Sequence, residues 1–186
     1  MIPTLRTERL VMRPWRAEDR DPFAALCADP VVMEHFPSTL TRAQADDLVD
    51  RNEACWAEHG WGLWAVEVTG GAPFTGFVGL WPADHVTGDP SEVGWRLAKE
   101  HWGQGYAPEA AREALRFGFD DVGLDHIVSF TAVANERSWR VMEKIGLHRV
   151  EGGDFDHPSV DPVAHPHLVR HVYYRLDAAE WASSRQ

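Results

Sequence analysis

Hydrophobic and polar positions along the 186-residue chain follow two periods, which predict strands and helices in mixed order. In seven segments apolar residues alternate with polar ones or form short runs, a pattern that is typical of strands. These segments are 10–15, 63–68, 74–80, 93–97, 127–134, 148–151 and 168–176. Elsewhere apolar residues recur every three or four positions, which predicts helices at 17–33, 41–59, 107–122 and 136–145. The element order β-α-α-β-β-β-α-β-α-β-β predicts an α/β or α+β fold. Because no linker or repeat divides the chain, residues 1–186 are expected to form one domain.

The segment from Val93 to Ala110 predicts a strand, a glycine-rich turn and a helix. Gly103 and Gly105 allow a tight turn after the strand, and Pro108 suits the first turn of a helix. Such a turn directs backbone N–H groups outward at the positive end of a helix dipole. This arrangement favours an anion, most naturally a phosphate.

The glycine spacing excludes the two commonest phosphate-binding motifs. Pro108 stands where the third glycine of a dinucleotide-binding G-x-G-x-x-G motif would be, and no Lys-Ser or Lys-Thr follows to complete a P-loop.

A second segment, 135–147, follows the apolar run 127–134. Asn135 suits a helix N-cap and Gly146 a C′ position, so a short capped helix is expected there.

These two segments, about 30 residues apart, together resemble the GNAT superfamily of acyl-CoA-dependent N-acyltransferases. Within it the chain is similar to the branch with ribosomal-protein N-terminal acetyltransferases and spermidine acetyltransferase, and the segments Thr7–Arg13 and Leu168–Leu176 share that likeness. The resemblance implies a mixed, mostly antiparallel central sheet flanked by helices. It further implies that the strands at Val93 and Ile127 splay apart and admit acyl-CoA between them.

The resemblance also implies residues for binding acetyl-CoA as co-substrate. Backbone groups of the strand and the side chain of Asn135 are expected to hold the pantetheine arm, the strand residues being Trp95, Arg96 and Leu97. The turn is expected to bind the pyrophosphate through Trp102, Gly103, Gln104, Gly105, Tyr106 and Ala107. Trp102 departs from the Gln or Arg usual at the first position of this turn.

Two residues are candidates for proton transfer. Ser138 lies one helical turn after Asn135, and could donate to the sulfur of coenzyme A, although a serine there also suits a helix cap. Met142 occupies the position at which many relatives carry a catalytic tyrosine, so Ser138 is the expected substitute. Glu92 opens the cleft strand, where a desolvated carboxylate can act as a general base; the alternative is an exposed loop glutamate.

The amino-acid composition limits which kinds of partner and which cellular location are expected for the protein. The chain has 29 acidic residues against 18 Lys and Arg, a net charge of −11. This balance disfavours nucleic acid and mildly favours a cationic acceptor through steering, although excess acid also simply confers solubility. No apolar run approaches the roughly 20 residues of a membrane span, and the N-terminus does not resemble a signal peptide. Two cysteines are too few for a disulfide framework, so a cytoplasmic protein is expected.

The sequence thus predicts an acetyl-CoA-dependent N-acetyltransferase that acts by direct transfer in a ternary complex. The acceptor is a primary amine of a small molecule or a protein N-terminus, which the variable segments 36–40, 82–91 and 152–166 would select. One alternative is a non-catalytic acyl-CoA-binding sensor or scaffold. Another is a metal-dependent hydrolase that uses His165, His167 and His171, although no metal site is expected. A homodimer is also a possible assembly for a protein of this family.

Overall fold

A computed structural model describes residues 2–184 of the chain. In these residues the strands are β1 (Leu5–Arg6), β2 (Leu10–Arg13), β3 (Leu63–Val68), β4 (Gly76–Ala83), β5 (Asp89–Leu97), β6 (His126–Ala132), β7 (His148–Arg149), β8 (Phe155–Asp156) and β9 (Arg170–Asp177). The α-helices are α1 (Arg20–Ala28), α2 (Arg42–His59), α3 (Tyr106–Arg116), α4 (Glu136–Lys144), α5 (Pro166–Val169) and α6 (Ala178–Ser183). None of the helices within 2–184 is long and apolar enough to cross a membrane.

The strands form one sheet in the order β1-β2-β3-β4-β5-β6-β9-β7, with β8 also paired to β9. Every neighbouring pair is antiparallel except β5 and β6, which are parallel. The parallel pair shares a single register position, Glu92 opposite Val128. Because the two strands meet at one end only, they diverge toward their carboxyl ends. The predicted mostly antiparallel sheet is therefore confirmed.

Helices cover the two faces of the sheet with separate apolar cores. On one face α3 contributes small and branched side chains, among them Ala111 and Leu115, which pack on Val93 and Leu97 of β5. On the other face α1 and α2 pack on β3 and β4 around Phe23, in a second cluster. Alternate residues of β5 consequently face different helices, so that one strand serves both sides of the sheet.

A buried ion pair fixes the entry to α1. Arg13, at the end of β2, donates through both terminal nitrogens to the Asp19 carboxylate at 2.7 and 2.9 Å. Both side chains are about 4% exposed, and Arg13 Nε also binds Glu67 at 3.0 Å. This network ties the first helix to the sheet edge. Thr41 and Gln44 then form a capping box that starts α2.

The predicted element types mostly hold, and several bounds differ. The helix predicted over 17–33 begins as one 3₁₀ turn, Ala17–Asp19, and ends at Ala28. Asp29 is extended because Pro30 follows it. The predicted helix 107–122 changes to π-helical geometry over Phe117–Val122. The segments 82–91 and 152–166, for which no element is predicted, contain the end of β4, the start of β5, strand β8 and the first residue of α5. Strand β1 and helix α6 were not predicted.

Candidate cofactor and active site

The divergence of β5 and β6 opens a cleft of about 1260 Å³ through the sheet. Its walls are the two strands, the segment 29–41 between α1 and α2, the start of α3 and the first turns of α4. The predicted residues Glu92, Trp95, Arg96, Leu97, Trp102, Gly103, Gly105, Tyr106, Ala107, Asn135 and Ser138 all line it. Gln104 is exposed and does not line the cleft.

A hydrogen bond from β6 marks the point where the strands separate. Ser129 Oγ donates to the carbonyl of Val93 at 2.9 Å, and further along β5 the indole of Trp102 donates to the carbonyl of Leu97 at 2.8 Å. Both carbonyls therefore face the opening. Because backbone groups alternate along a strand, the N–H and C=O of Trp95 face the same way, into the cleft. The edge of β5 thus offers an extended ligand backbone partners beyond the last pairing with β6.

The turn before α3 has the geometry that its glycines predict. Gly103 and Gly105 have φ values of +74° and +80°, and α3 begins at Tyr106. A Cβ at Gly103 would meet no atom within 4 Å, so this side of the turn is open. The first-turn N–H groups of α3 have no carbonyl one turn earlier to bind, and they point toward the cleft end at Gly105. Pro108 lies in that first turn, as predicted.

Arg9 stabilises this turn through contacts with its backbone and with α3, a role that the sequence does not reveal. Its Nη1 donates to the carbonyl of Gln104 at 2.9 Å, and its guanidinium forms an ion pair with Glu109 of α3 at 2.6 Å. The Glu109 carboxylate also accepts from Thr7 Oγ1 at 2.6 Å and from the backbone N–H of Arg9 at 2.9 Å. Burial raises the pKa of Glu109, but the hydrogen bonds from Thr7 and Arg9 together outweigh burial and hold that pKa below its usual value. The one acidic group in the first turn of α3 is therefore neutralised.

Cationic side chains surround the same end of the cleft. Arg137, in the first turn of α4, lies over the ring of Trp102 with its Cζ 4.9 Å from the centroid. Lys99 and Lys144 also line the cleft, and within residues 2–184 no carboxylate pairs with either. Trp102, which departs from the family pattern, thus holds a guanidinium beside the turn. This end of the cleft is positive although the chain is strongly acidic.

Glu92 lies at the other end, where β5 and β6 meet. It is half-buried on β5, with Trp81 opposite it on β4 and Val128 on β6. Its carboxylate makes no hydrogen bond or ion pair with residues 2–184, and burial raises its pKa to about 8. The predicted carboxylate is therefore unpaired and largely neutral at pH 7. A group in this state can take up a proton near neutral pH once it is ionised.

Asn135 and Ser138 lie together on the cleft side of α4. Asn135 occupies the N-cap position of α4, as predicted, but its side chain makes no capping bond and its amide donates to Thr131 Oγ1 at 2.9 Å instead. Its φ of −82° and ψ of 63° differ from the extended backbone usual at an N-cap. Ser138 is half-buried, and its Oγ bonds to no residue of the part of the chain described. Met142 is buried in the core.

Arg96 occupies a different place from its predicted neighbours Trp95 and Leu97. Its side chain points to the opposite face of the sheet, where its Cζ lies 4.4 Å from the ring centroid of Phe36. Its backbone groups face β4, because those of Trp95 and Leu97 face the opening. This placement does not favour a role for Arg96 in holding the pantetheine arm.

The three C-terminal histidines considered for a metal site lie on different elements. His165 precedes α5 and His167 lies within it, whereas His171 lies on β9. Across residues 2–184 no group of three or more His, Cys, Asp or Glu side chains is placed to hold a metal ion. His171 packs against His157 with ring centroids 4.8 Å apart. Burial lowers the pKa of His171 to about 4, so its imidazole is neutral.

Comparison with known protein families matches residues 9–148 to the acetyltransferase (GNAT) domain. The chain belongs to the GNAT acetyltransferase family. This membership confirms the resemblance drawn from the two central segments, since both segments fall within the matched residues.

Individual relatives agree with this placement. The FsC-acetyl coenzyme A-N(2)-transacetylase of Aspergillus fumigatus is 34% identical over 192 residues, which cover 96% of this chain and 78% of that protein. An acetyltransferase of known structure from Agrobacterium tumefaciens superposes with a TM-score of 0.78 at 26% identity, covering 95% of both chains. The aminoglycoside acetyltransferase AAC(6′)-Ib, solved in complex with coenzyme A, shares the fold with a TM-score of 0.74 at 15% identity, covering 95% of this chain and 99% of that one.

Proposed function

We propose that this GNAT family member transfers the acetyl group of acetyl-CoA directly to a primary amine in a ternary complex. The observation that carries the proposal is the cleft between β5 and β6, which has an unpaired strand edge at its centre and the glycine turn before α3 at one end. An unpaired carboxylate, Glu92, stands at the other end. Cofactor arm, cofactor phosphates and proton acceptor each have a place along one channel.

The pantetheine arm of acetyl-CoA has the shape and groups that the free strand edge can bind. Its two amide bonds form an extended chain that adds to β5 as a further strand would, through the N–H and C=O of Trp95. Ser129 closes the far end of the opening by satisfying the Val93 carbonyl. The arm consequently stops near Val93, one residue from Glu92. Asn135 and Ser138 flank it from α4.

The pyrophosphate of acetyl-CoA binds at the turn before α3. Free N–H groups at a helix N-terminus favour a negatively charged ligand. Lys99, Arg137 and Lys144 add positive charge around this turn, and Arg9 neutralises Glu109 within it. The net charge of −11 would otherwise repel a polyanion, so this local reversal of charge is what the cofactor requires.

The chemistry then proceeds by direct attack of the amine on the thioester. Most primary amines are protonated at pH 7, and Glu92 in its ionised form takes that proton and frees the nitrogen lone pair. The lone pair attacks the acetyl carbonyl carbon, a C–N bond forms, and the C–S bond breaks with its electron pair left on sulfur. The attacking nitrogen loses its second proton as the amide forms, and this proton neutralises the thiolate of coenzyme A, with Ser138 Oγ as a nearby relay and stabiliser. Among residues 2–184 the side chains that line the cleft include no cysteine, and Cys27 and Cys55 are buried, so the proposed transfer uses no acyl-cysteine intermediate.

Two measurements on the purified protein test this proposal. Calorimetry with acetyl-CoA is expected to show binding, and release of free coenzyme A thiol is expected when primary amines are added. Binding without thiol release on any amine of a broad panel would favour the non-catalytic sensor. Absence of acetyl-CoA binding in the folded protein would reject the cleft as the cofactor site.

A further inference from the structure

The acceptor half of the cleft contains a guanidinium without an anionic partner. Arg96 projects from β5 on the face covered by α1 and the segment 29–41, away from α3 and the cofactor turn. No carboxylate within residues 2–184 forms an ion pair with it, and its Nε is enclosed with no hydrogen-bond partner. Within the described part of the chain, its one hydrogen bond runs from Nη1 to the Cys27 thiol sulfur at 3.3 Å.

Enclosed cations in proteins are normally paired, because removing a charge from water without compensation is costly. Lysine or histidine can escape that cost by losing a proton, whereas an arginine stays charged under all ordinary conditions. Burial lowers the pKa of Arg96, and the thiol of Cys27, whose own pKa is raised by burial, offsets this only in part. The Arg96 site therefore lacks one component, an anion.

The surroundings of Arg96 define the shape of that missing component. Phe36 lies over the guanidinium with 4.4 Å between Cζ and ring centroid, and Phe77 lies 5.5 Å away. Aromatic rings that contact a guanidinium limit approach to its edge, where the paired N–H groups are directed. A planar carboxylate accepts two parallel hydrogen bonds from such an edge.

A continuous floor joins Arg96 to the proposed base. Glu92, Gly94 and Arg96 share one face of β5, because side chains alternate along a strand. A Cβ at Gly94 would meet no atom within 4 Å, so the space between the two charged residues is open. Four residues of strand separate their Cα atoms by roughly 13 Å. A small molecule lying on this floor could reach both.

We propose that Arg96 binds a carboxylate of the acceptor, so that the acceptor is a primary amine that also carries a carboxylate group. This inference rests on the proposed transfer to an amine and specifies the acceptor's class. The amine end lies toward Glu92 and the acetyl group, and the carboxylate end lies against Arg96 beneath Phe36. A phosphate group fits less well, because a dianion would face a single guanidinium.

The test compares acids with their neutral counterparts in the full-length protein. The probes are glycine, 4-aminobutanoate and 6-aminohexanoate, each against its carboxamide, with 2-aminoethylphosphonate as the phosphate-like amine. The kcat/KM from thiol release is expected to favour at least one acid over its carboxamide by about tenfold or more, the usual value of a charge-assisted hydrogen bond. In Arg96→Gln this ratio is expected to fall to about one.

A matched variant controls for the loss of charge. Arg51 also lines the cleft but is exposed on α2 and ion-paired with Asp47 at 2.9 Å. Arg51→Gln removes the same charge and is expected to keep the preference for the acid. Should Arg96→Gln fail to fold, Arg96→Lys keeps the charge without the planar fork and is expected to lose most of the preference.

Binding measurements separate failure of this inference from failure of the enzymatic proposal. Calorimetry of the same acids with the coenzyme A-loaded protein requires no turnover. Binding of an acid that Arg96→Gln abolishes would support the carboxylate site even if no amine were acetylated. The inference is overturned if no acid binds or is preferred, if Arg96→Gln keeps the preference, or if the phosphonate is favoured over every carboxylate.

Discussion

Glu92→Gln is the substitution that most directly tests the proposed chemistry. Glutamine keeps the size and polarity of Glu92 but cannot accept a proton, so the acceptor amine would have to lose its proton to bulk water. Loss of a positioned general base costs typically two or more orders of magnitude, and we expect kcat to fall by about 10²-fold or more. Acetyl-CoA affinity should change little, because Glu92 lies at the end of the cleft remote from the turn at Gly105.

The pKa of about 8 fixes the form of the pH profile. Burial raises this pKa, so only about one-tenth of Glu92 is ionised at pH 7 in the free enzyme. The kcat/KM, which reports the free enzyme, should rise about tenfold for each pH unit up to pH 7 and level off near pH 9. A bound ammonium group beside Glu92 would favour ionisation, so kcat alone should level off at a lower pH.

The burial of Glu92 that raises its pKa also affects the stability of the fold, and this effect decreases with pH whereas activity increases. The pKa of Glu92 rises from its ordinary value of 4.5 to about 8, so the folded protein holds this proton more tightly than the unfolded chain. Its contribution to stability is complete below pH 4.5 and is lost as the pH rises through 8. At about 1.4 kcal/mol per pKa unit the upper limit is about 5 kcal/mol, and water in the cleft should reduce this to roughly 2–3 kcal/mol.

Glu92→Gln should therefore lose activity and gain stability in the same protein. At pH 9 its Tm should exceed that of the wild type by about 5–10 °C, and at pH 4.5 the two should unfold at nearly the same temperature. Calorimetric unfolding at both pH values and thiol release across pH 6–9 measure the two effects. Normal turnover of Glu92→Gln on its acceptor, or a flat wild-type profile, would remove Glu92 from the mechanism and leave bulk water as the proton acceptor.

Three further substitutions test other parts of the molecule. Gly105→Val should abolish measurable acetyl-CoA binding, because φ is +80° and the new Cβ would lie 3.3 Å from an Arg9 nitrogen; unchanged affinity by calorimetry in a folded variant would reject the turn as the phosphate site. Ser138→Ala should lower kcat more than acetyl-CoA affinity, whereas weaker binding with kcat intact would leave Ser138 a structural role. Asp19→Asn should destabilise the protein by about 2–3 kcal/mol in denaturant titration, because it removes the carboxylate bound to both terminal nitrogens of Arg13 and leaves only Glu67 at Nε; a loss below about 1 kcal/mol would contradict that reasoning.

The sequence predicted best those parts of the site that local backbone chemistry determines. Gly103, Gly105 and Pro108 can be interpreted without tertiary structure, because positive φ values and a missing N–H are properties of single residues. The alternation of β5 likewise placed Trp95 and Leu97 on one face. Element type was predictable for the same reason, whereas ends set by tertiary packing were not.

Contacts between distant residues were not predictable. Arg9 reaches Glu109, 100 residues away, and no local pattern connects the two. Asn135 is the N-cap residue of α4 as expected, but its side chain binds Thr131 on β6 and makes no capping bond. The helix predicted through 122 widens near Gly118, where any Cβ would lie 2.6 Å from Ile127. In each case a tertiary partner outweighs a local preference.

The distribution of charge in the structure shows why the net charge of the sequence does not predict the charge of the acceptor. The excess of acidic residues suggests attraction of a cation, but long-range steering depends on the outer surface, whereas binding depends on groups inside the cleft. Inside, Glu92 is largely neutral at pH 7 and Arg96 is positive. An acceptor with both an ammonium and a carboxylate group would suit the surface and the cleft interior alike. The acidic surface would attract its ammonium group, and Glu92 would ionise beside that group. Its carboxylate would supply the anion that the enclosed Arg96 lacks. A purely cationic amine would meet Arg96 as a like charge across the same floor, so we expect the groups inside the cleft, and not the net charge of −11, to select the acceptor.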